Sequence, residues 1–384
     1  MADRDILIDV SRLVWRLWRG GLPTGIDRVC LAYVEHFRAR AQAVVHRRGR
    51  FYVVTPRHSD LLFDLMVSRQ SFRRRFFQMA IQAFTLVRRS PRRPGQLYLN
   101  LGHTGLDEPL LAQWIGRNRI RAVFLIHDLI PLTHPEYCRP GEEAKHRRRM
   151  EHVLASASGL IANSQATIGD LRSFAASVGS AMPPSVVASI AGQPAQSSVV
   201  PRAFERPHFV VVGTIEGRKN HRLLLHIWQR LAATYGARTP LLVIVGQRGW
   251  EAGTAIAMLD RASDLKSHVL ELGSCGDEQL AAIIGGARAL LMPSFAEGFG
   301  LPVAEALQLG TPVIASDLQV FREFAGDIPT YVDPLDGIAW LNAIVAYIGE
   351  STERERQQRA MAGYRAPDWP SHFKVVEEWL GTIH

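Results

Sequence analysis

Sulfur is scarce in this chain: 384 residues hold three cysteines, Cys30, Cys138 and Cys275, and these stand far apart. Their separation excludes a zinc-binding spacing and a disulfide framework, leaving them as small core or loop residues. Long apolar runs are missing too. No stretch approaches the ~18 residues of a membrane-spanning helix, and Met1-Ala2-Asp3-Arg4-Asp5 lacks the pattern of a secretory leader. Residence in the cytoplasm is the resulting expectation. Carboxylates do not gather into an oxygen-ligand cluster either, so no Mg²⁺ or Mn²⁺ site is expected.

What is present fits a soluble protein of two ordinary domains, with 47% hydrophobic and 21% charged residues. Charge is unevenly placed. Residues 1–200 hold 28 Lys+Arg against 15 Asp+Glu, a net of +13, whereas 201–384 hold 17 against 21, a net of −4. A basic N-terminal half admits three partners: nucleic acid, an anionic membrane surface, or a pyrophosphate-linked lipid.

Hydrophobic patterning predicts two alternating αβ units. Strands are expected at 5–10, 51–54, 96–100, 121–126 and 159–163, with Thr24 capping a helix over 25–40. The Pro, Ser, Ala and Gln of about 180–200 read as an interdomain linker. Further strands at 208–212, 241–245, 268–272, 288–292 and 312–315 alternate with helical stretches, the pattern of a parallel doubly wound sheet. The domains predicted are 1–200, 201–365, and a terminal helix from 366 with Trp369, Phe373, Val375, Val376 and Trp379 at helical spacing.

In such sheets ligands bind beyond the carboxyl ends of the strands. Four unusual loops follow strands of the second domain: Gly213-Thr214-Ile215-Glu216-Gly217-Arg218-Lys219-Asn220, Gly246-Gln247-Arg248-Gly249-Trp250, Gly273-Ser274-Cys275-Gly276, and Ser294-Phe295-Ala296-Glu297-Gly298-Phe299-Gly300-Leu301. The last runs into Pro302-Val303-Ala304-Glu305. Pro near the first helical position and two glycines before it predict a strand, a loop and a helix, with the N–H groups of Phe299, Gly300 and Leu301 open to an anion. Glu297 and Glu305 add carboxylates suited to hydroxyl groups. A phosphorylated, polyhydroxylated ligand such as a nucleotide-sugar is what this combination would bind.

Glu-Gly-Phe-Gly-Leu-Pro with a second glutamate eight positions after the first resembles the donor site of the retaining glycosyltransferases of family four. That resemblance implies the GT-B fold, an α/β architecture of two Rossmann-like doubly wound domains facing a central cleft. It implies that Glu297 contacts the hydroxyls of the transferred sugar and that Glu305 holds the ribose diol. Arg218 and Lys219 would stabilise the departing pyrophosphate, with Gly213, Thr214, Gly246, Arg248 and Ser274 completing the donor side. The family's usual arginine directly after the strand glycine is here Thr214. Gly-Thr followed by Arg-Lys-Asn is instead similar to a subgroup that includes bacterial polysaccharide mannosyltransferases. Trp250 would join Arg248 at the nucleobase rim, a core-packed tryptophan being the alternative.

The same subgroup has His-Asp-Leu-x-Pro-Leu-x-x-Pro-Glu-Tyr, which His127-Asp128-Leu129-Ile130-Pro131-Leu132-Thr133-His134-Pro135-Glu136-Tyr137 matches. By that likeness His127 faces the donor sugar and stabilises charge near the reacting carbon. Gly20, Gly21, Thr24 and Gly25, followed by Asp27 and Arg28, resemble the glycine loop after the first strand on the acceptor side, with Asp128 and Asn163 near by. Ser164 could instead be a helix cap. Asp3-Arg4-Asp5 has the Asp-x-Asp form of the other glycosyltransferase fold, but it precedes the first strand, so it reads as solvated terminus.

The implied function is a retaining hexosyltransferase without metal or other cofactor, moving mannose from GDP-mannose onto a glycan or polyprenyl-linked acceptor in bacterial surface polysaccharide synthesis. Alternatives are an epimerase or glycan phosphorylase of the same fold, or a nonenzymatic nucleotide or RNA-binding protein. The phosphorylase needs a pyridoxal phosphate lysine that the loops hardly offer. An RNA-binding platform needs surface aromatics interleaved with the basic residues. Residues 69–93, with Phe72, Phe76, Ile81, Phe84 and Val87 near helical spacing and arginines at both ends, are expected to form a basic amphipathic helix, either on an anionic membrane or as an ordinary solvated helix.

Overall fold

A computed structural model describes residues 4–21, 25–47, 49–68, 72–83, 87–88, 94–192, 202 and 204–383. The chain divides into two compact units. Unit 1 comprises Met1–Leu129, Glu143–Ile190 and Trp369–His384; unit 2 comprises Ile130–Glu142 and Ala191–Asp368.

Unit 1 is built on strands β1 (Ile6–Asp9), β2 (Ala41–Arg47), β3 (Arg50–Val54), β4 (Val87–Arg88), β5 (Leu97–Asn100), β6 (Arg121–Ile126), β7 (Gly159–Ala162) and β8 (Ser185–Val187). Their spatial order is β4-β3-β2-β1-β5-β6-β7-β8, parallel except where β3 meets β2 and β4. Central strands covered on both faces read as apolar runs, as Val123 to Ile126 do. Helix Trp369–Leu380 also belongs to this unit. Its Phe373 ring stacks on His36 with centroids 3.8 Å apart. His372 donates through Nδ1 to the Ser189 carbonyl at 3.1 Å and accepts at Nε2 from the Tyr33 hydroxyl at 2.8 Å. Burial holds that imidazole neutral, down at about 4, which the two roles require.

Unit 2 carries β9 (His208–Val212), β10 (Leu241–Val245), β11 (Val269–Leu272), β12 (Leu290–Met292), β13 (Val313–Ser316) and β14 (Thr330–Val332) in the order β11-β10-β9-β12-β13-β14, all parallel. This is the doubly wound dinucleotide-fold order, whose direction reverses between β9 and β12. Its core joins Phe209, Leu242 and Leu291 of the sheet to Trp228 and Trp340 of the covering helices. Each indole N–H donates to a carbonyl, Trp228 to Pro240 at 2.9 Å and Trp340 to Asp333 at 3.0 Å, so burying them costs little polar desolvation.

Several expectations need correction. The predicted linker contains β8, which pairs with β7 and closes one edge of the first sheet, so the unit boundary lies at Ile190 rather than 200; residues 193–200 are outside the described residues. Ile130–Glu142, expected in the N-terminal domain, clusters with unit 2. The helix expected over 25–40 ends at Phe37. The glycine segment does not directly follow β1: helix Ser11–Trp18 intervenes, burying Leu13, Val14 and Leu17, so Gly20 and Gly21 lie after a helix. The basic helix spans Phe72–Ala83 rather than 69–93, because Val87 and Arg88 pair with Val54 and Val53 as β4; Arg69–Ser71, Phe84–Leu86 and Arg89–Arg93 lie outside the described residues.

Candidate functional site

In unit 2 the loops after β9 and β12 flank the point where strand order reverses. The β9 loop tightens into a turn at Gly217–Lys219 and leaves through Asn220, whose φ of +54° opens helix His221–Tyr235. The β12 loop ends at Gly300, φ +99°, before helix Leu301–Gln308. A Cβ there would lie 2.3 Å from Phe321, so glycine is required by both conformation and space. Gly246 is required by space alone: its Cβ would fall 1.9 Å from the Gly213 carbonyl oxygen, just past the ends of the paired strands β9 and β10.

Across this reversal point the two loops are joined by charge. Lys219 Nζ donates to Glu297 Oε1 at 2.6 Å, and Arg218 Nη1 donates to Glu297 Oε2 at 2.9 Å and to the Ala296 carbonyl at 2.9 Å. The Phe295 N–H returns a bond to the Arg218 carbonyl at 2.8 Å. On its other side Arg218 Nε meets Glu216 at 2.7 Å. Two carboxylates and two cations thus form one cluster in which Glu216 and Lys219 are buried, the Glu297 side chain is 6% exposed and the Arg218 side chain is 23% exposed.

Burial alone would raise the Glu297 carboxyl, but the Arg218 guanidinium and Lys219 ammonium outweigh it and hold the group down at about 2. Burial also pulls Lys219 below its ordinary value, against the opposing attraction of Glu297. Glu216 is pushed up by burial more strongly than Arg218 and Lys219 lower it. Glu297 is therefore ionised in the cluster, and its charge opposes the burial that lowers Lys219.

The other donor-side candidates share unit 2. Glu305 is buried in helix Leu301–Gln308, with its Cγ 2.6 Å from where a Cβ on Gly192 would stand. Phe299 is buried and stacks on Phe324 at 4.8 Å, and Leu301 opens the helix. Lys219 Cε would sit 3.2 Å from a Cβ on Gly213, and Thr214 is half-buried beside it. Arg248 is spanned by Glu271 and Asp260, each at 2.8 Å, so its guanidinium is committed to an exposed ion pair. Ser274 is exposed after β11. Trp250 is not core-packed: it is 36% exposed, with the Arg139 guanidinium 4.5 Å from its ring centre.

In unit 1, His127 lies just past β6 and its Nε2–H donates to the Leu101 carbonyl at 2.7 Å. Burial lowers its pKa, so the ring is neutral with that hydrogen fixed on Nε2, and the expected charge stabilisation cannot come from an imidazolium. Asn163 Nδ2 donates to the His127 carbonyl at 2.9 Å, and Ser164 caps helix Gln165–Ser177 through the Thr167 N–H at 3.0 Å. Asp128 is half-buried beside His127. Gly20 has a φ of +79° and Gly21 packs on Arg16, while Gly25 begins helix Gly25–Phe37; Thr24 lies outside the described residues. Asp27 is buried against Arg12 and Arg16, both at 3.1 Å, which makes it an anchor between two helices. Among the described residues no group of three or more His, Cys, Asp or Glu could hold a metal ion.

Sequence reasoning gave no role to Glu216 or to a buried group in unit 1 where Asp9 accepts from the Ser11 N–H at 2.9 Å and the Tyr98 hydroxyl at 2.8 Å. The signal for Glu216 was its place two residues before Arg218. Asp9 offered only a carboxylate ending an apolar strand.

The chain is similar to known proteins in sequence and in fold. The family described as "Glycosyl transferases group 1" matches residues 193–360. O-antigen chain mannosyltransferase B of Escherichia coli is 31% identical over 245 residues, covering 61% of this chain and 61% of that protein. The serotype-specific mannosyltransferase WbdA of Escherichia coli is 29% identical, covering 55% of this chain and 28% of WbdA, so the chain spans less than two thirds of either relative. Among solved structures, HepE of Anabaena in complex with UDP and glucose superposes with a TM-score of 0.66 over 98% of this chain and 99% of that one, at 16% identity. Sucrose-phosphate synthase from Thermosynechococcus elongatus gives 0.64 at 15% identity over 98% of both chains. Residues 193–360 are accordingly similar to the glycosyl transferases group 1 family, and the chain has the two-domain GT-B fold of these structures.

Proposed function

We propose that this protein is a mannosyltransferase that takes its sugar from a nucleoside diphosphate, GDP-mannose being favoured, and retains the anomeric configuration. The observation that carries this reading is the Glu297 carboxylate held between Arg218 and Lys219 where the sheet's order reverses. In a front-face reaction the bond from the anomeric carbon to the diphosphate oxygen breaks while the acceptor oxygen bonds to the same face. The acceptor's proton passes to the departing phosphate oxygen, so no protein base is needed. Arg218 and Lys219 stabilise the negative charge that grows on the diphosphate. Glu297 orients sugar hydroxyls and favours the charged form of Lys219, and Glu305 binds the ribose. No metal enters this scheme.

The acceptor proposed is a glycan or polyprenyl-linked glycan of bacterial surface polysaccharide synthesis, in keeping with the relatives named O-antigen mannosyltransferases. Among the described residues no helix is long and apolar enough to cross a membrane. Helix Phe72–Ala83 offers another way to reach lipid. It packs Phe72 on Phe76 and Phe76 on Trp18 while Arg73, Arg74, Arg75 and Phe77 are exposed. Between Asp64 and Asp107 the sequence has eight arginines and no carboxylate. Each basic residue near an anionic surface contributes about 1 kcal/mol, so peripheral binding to an anionic membrane is part of the proposal.

Incubation with GDP-mannose, UDP-glucose, UDP-galactose and ADP-glucose, with and without chelator, tests the scheme. Release of GDP from GDP-mannose in either condition is expected. Release from none of the four donors would reject the transferase reading, and activity lost to chelator and restored by Mn²⁺ would reject the metal-free scheme.

A further inference from the structure

The segment Ile130–Glu142 leaves unit 1 after Leu129, re-enters it at Glu143, and in between packs as part of unit 2. It contains a short helix, Ile130–Thr133, and a tight turn, Pro135–Tyr137. Two of its side chains meet the loops already described. The Tyr137 ring lies nearly parallel to Phe295, centroids 5.0 Å apart and planes inclined by 4°. The Arg139 guanidinium lies over Trp250.

Those contacts matter because of what the loops carry. Phe295 stands two residues before Glu297, and its N–H is bonded to the Arg218 carbonyl. The β12 loop is therefore held at three points: Tyr137 on Phe295, Arg218 on Ala296 and Glu297, and Phe324 on Phe299. Trp250 follows Gly249, whose N–H donates to the Ile215 carbonyl at 2.9 Å, so its loop is tied to the β9 loop just before Glu216 and Arg218. The segment thus contacts both loops that are tied to the charged cluster.

We propose that Ile130–Glu142 is a strap that positions the donor-side loops, with Tyr137 setting the Glu297 loop and Arg139 setting the Gly246–Trp250 loop. Neither residue touches the reacting atoms. The stacking contact needs a flat ring rather than a phenol, since a Phe ring has the same faces, and the Arg139 contact needs a cation over an aromatic face. The kinetic part rests on the glycosyl-transfer reading; the structural part does not.

The test uses the full chain, wild type and the variants Tyr137→Phe, Tyr137→Leu and Arg139→Gln, with melting temperature recorded for each. Hydrogen–deuterium exchange of the peptide spanning Pro293–Gly300 should rise at least tenfold in Tyr137→Leu, stay at the wild-type value in Tyr137→Phe, and be unaffected elsewhere in unit 2. With GDP-mannose as donor, Tyr137→Leu should lower kcat about tenfold with KM within twofold, while Arg139→Gln should raise the donor KM more than it lowers kcat. Unchanged exchange over 293–300 in Tyr137→Leu, exchange that rises equally in Tyr137→Phe, or a kcat within twofold of wild type in Tyr137→Leu would each overturn the strap. If wild type turns over no sugar nucleotide, the transferase reading fails, and the exchange comparison alone decides the strap.

Discussion

Replacing Glu297 by Gln keeps the shape of the side chain and removes one negative charge from a buried cluster of two carboxylates and two cations. Arg218 retains Glu216 at 2.7 Å, so the loss falls on Lys219, which is 7% exposed. Its Nζ can still donate to the amide oxygen. Losing a charged hydrogen-bond partner costs about 1.5–3 kcal/mol, less than the 3–5 kcal/mol typical when one member of a buried pair is removed. Against a total of about 5–15 kcal/mol, at most a few per cent of the molecules should unfold at 25 °C. Turnover should fall by a factor of about a hundred or more, roughly 2.7 kcal/mol of transition-state stabilisation. Because Glu297 opposes the burial that depresses Lys219, the variant's lysine should lose its proton at lower pH. The alkaline limb of the turnover profile should move down with it.

The assay is nucleoside diphosphate release across pH, with melting temperature recorded on the same samples. Turnover within threefold of wild type, or a fall matched by loss of folded protein, would refute the role given to Glu297. Stability carries its own sign. The folded Glu297 carboxyl lies at about 2, below its ordinary 4.5, so its contribution is present above 4.5 and lost as pH falls toward 2. That difference corresponds to about 3 kcal/mol before Lys219, drawn out of water alongside, gives part of it back. Wild type should therefore lose more stability than Glu297→Gln between these two pH values.

Three further outcomes follow from the site and the surface. Glu305→Ala should weaken nucleotide binding by calorimetry with or without sugar attached, and unchanged affinity would reject its ribose contact. Gly246→Ala should lower the unfolding free energy by about 3 kcal/mol or more in urea titration, because its Cβ would lie 1.9 Å from the Gly213 carbonyl oxygen of the neighbouring, paired strand end; a loss under about 1 kcal/mol would contradict that close approach. Arg73, Arg74 and Arg75 changed together to Ser should abolish salt-sensitive sedimentation with anionic vesicles, and equal binding by wild type and variant would reject the membrane surface.

How much was legible in advance depended on whether local sequence or tertiary packing decided each element. Strands such as Arg121–Ile126 and Leu241–Val245 announced themselves because both faces are buried and every residue is apolar or nearly so. Ala41–Arg47 did not, since its pattern is broken by Gln42 and His46, which are buried only because partners exist: Gln42 Nε2 donates to the Val54 carbonyl at 2.9 Å, and His46 stacks on Phe51. Ser185–Val187 and Thr330–Val332 are three-residue edges too short to carry a period. The Glu297 loop stood out by residue types and spacing and the Arg218-Lys219 pair by its resemblance to a known loop form, whereas the direct bonding of those cations to Glu297 required the fold. The grouping of Ile130–Glu142 with unit 2 was invisible, because contacts far apart in sequence, such as Tyr137 on Phe295 and Arg139 on Trp250, appear only in the fold.

The account stands or falls on sugar transfer from a nucleotide. GDP-mannose labelled with ¹³C at the anomeric carbon, incubated with the protein and a mannose-terminated lipid-linked oligosaccharide, reports both events in one NMR experiment. The prediction is stoichiometric release of GDP and a new glycosidic bond whose one-bond carbon–proton coupling is that of an α-mannoside, the configuration of the donor. A β-linked product would contradict the retaining mechanism, and intact donor under conditions where calorimetry shows it bound would contradict the transferase assignment itself.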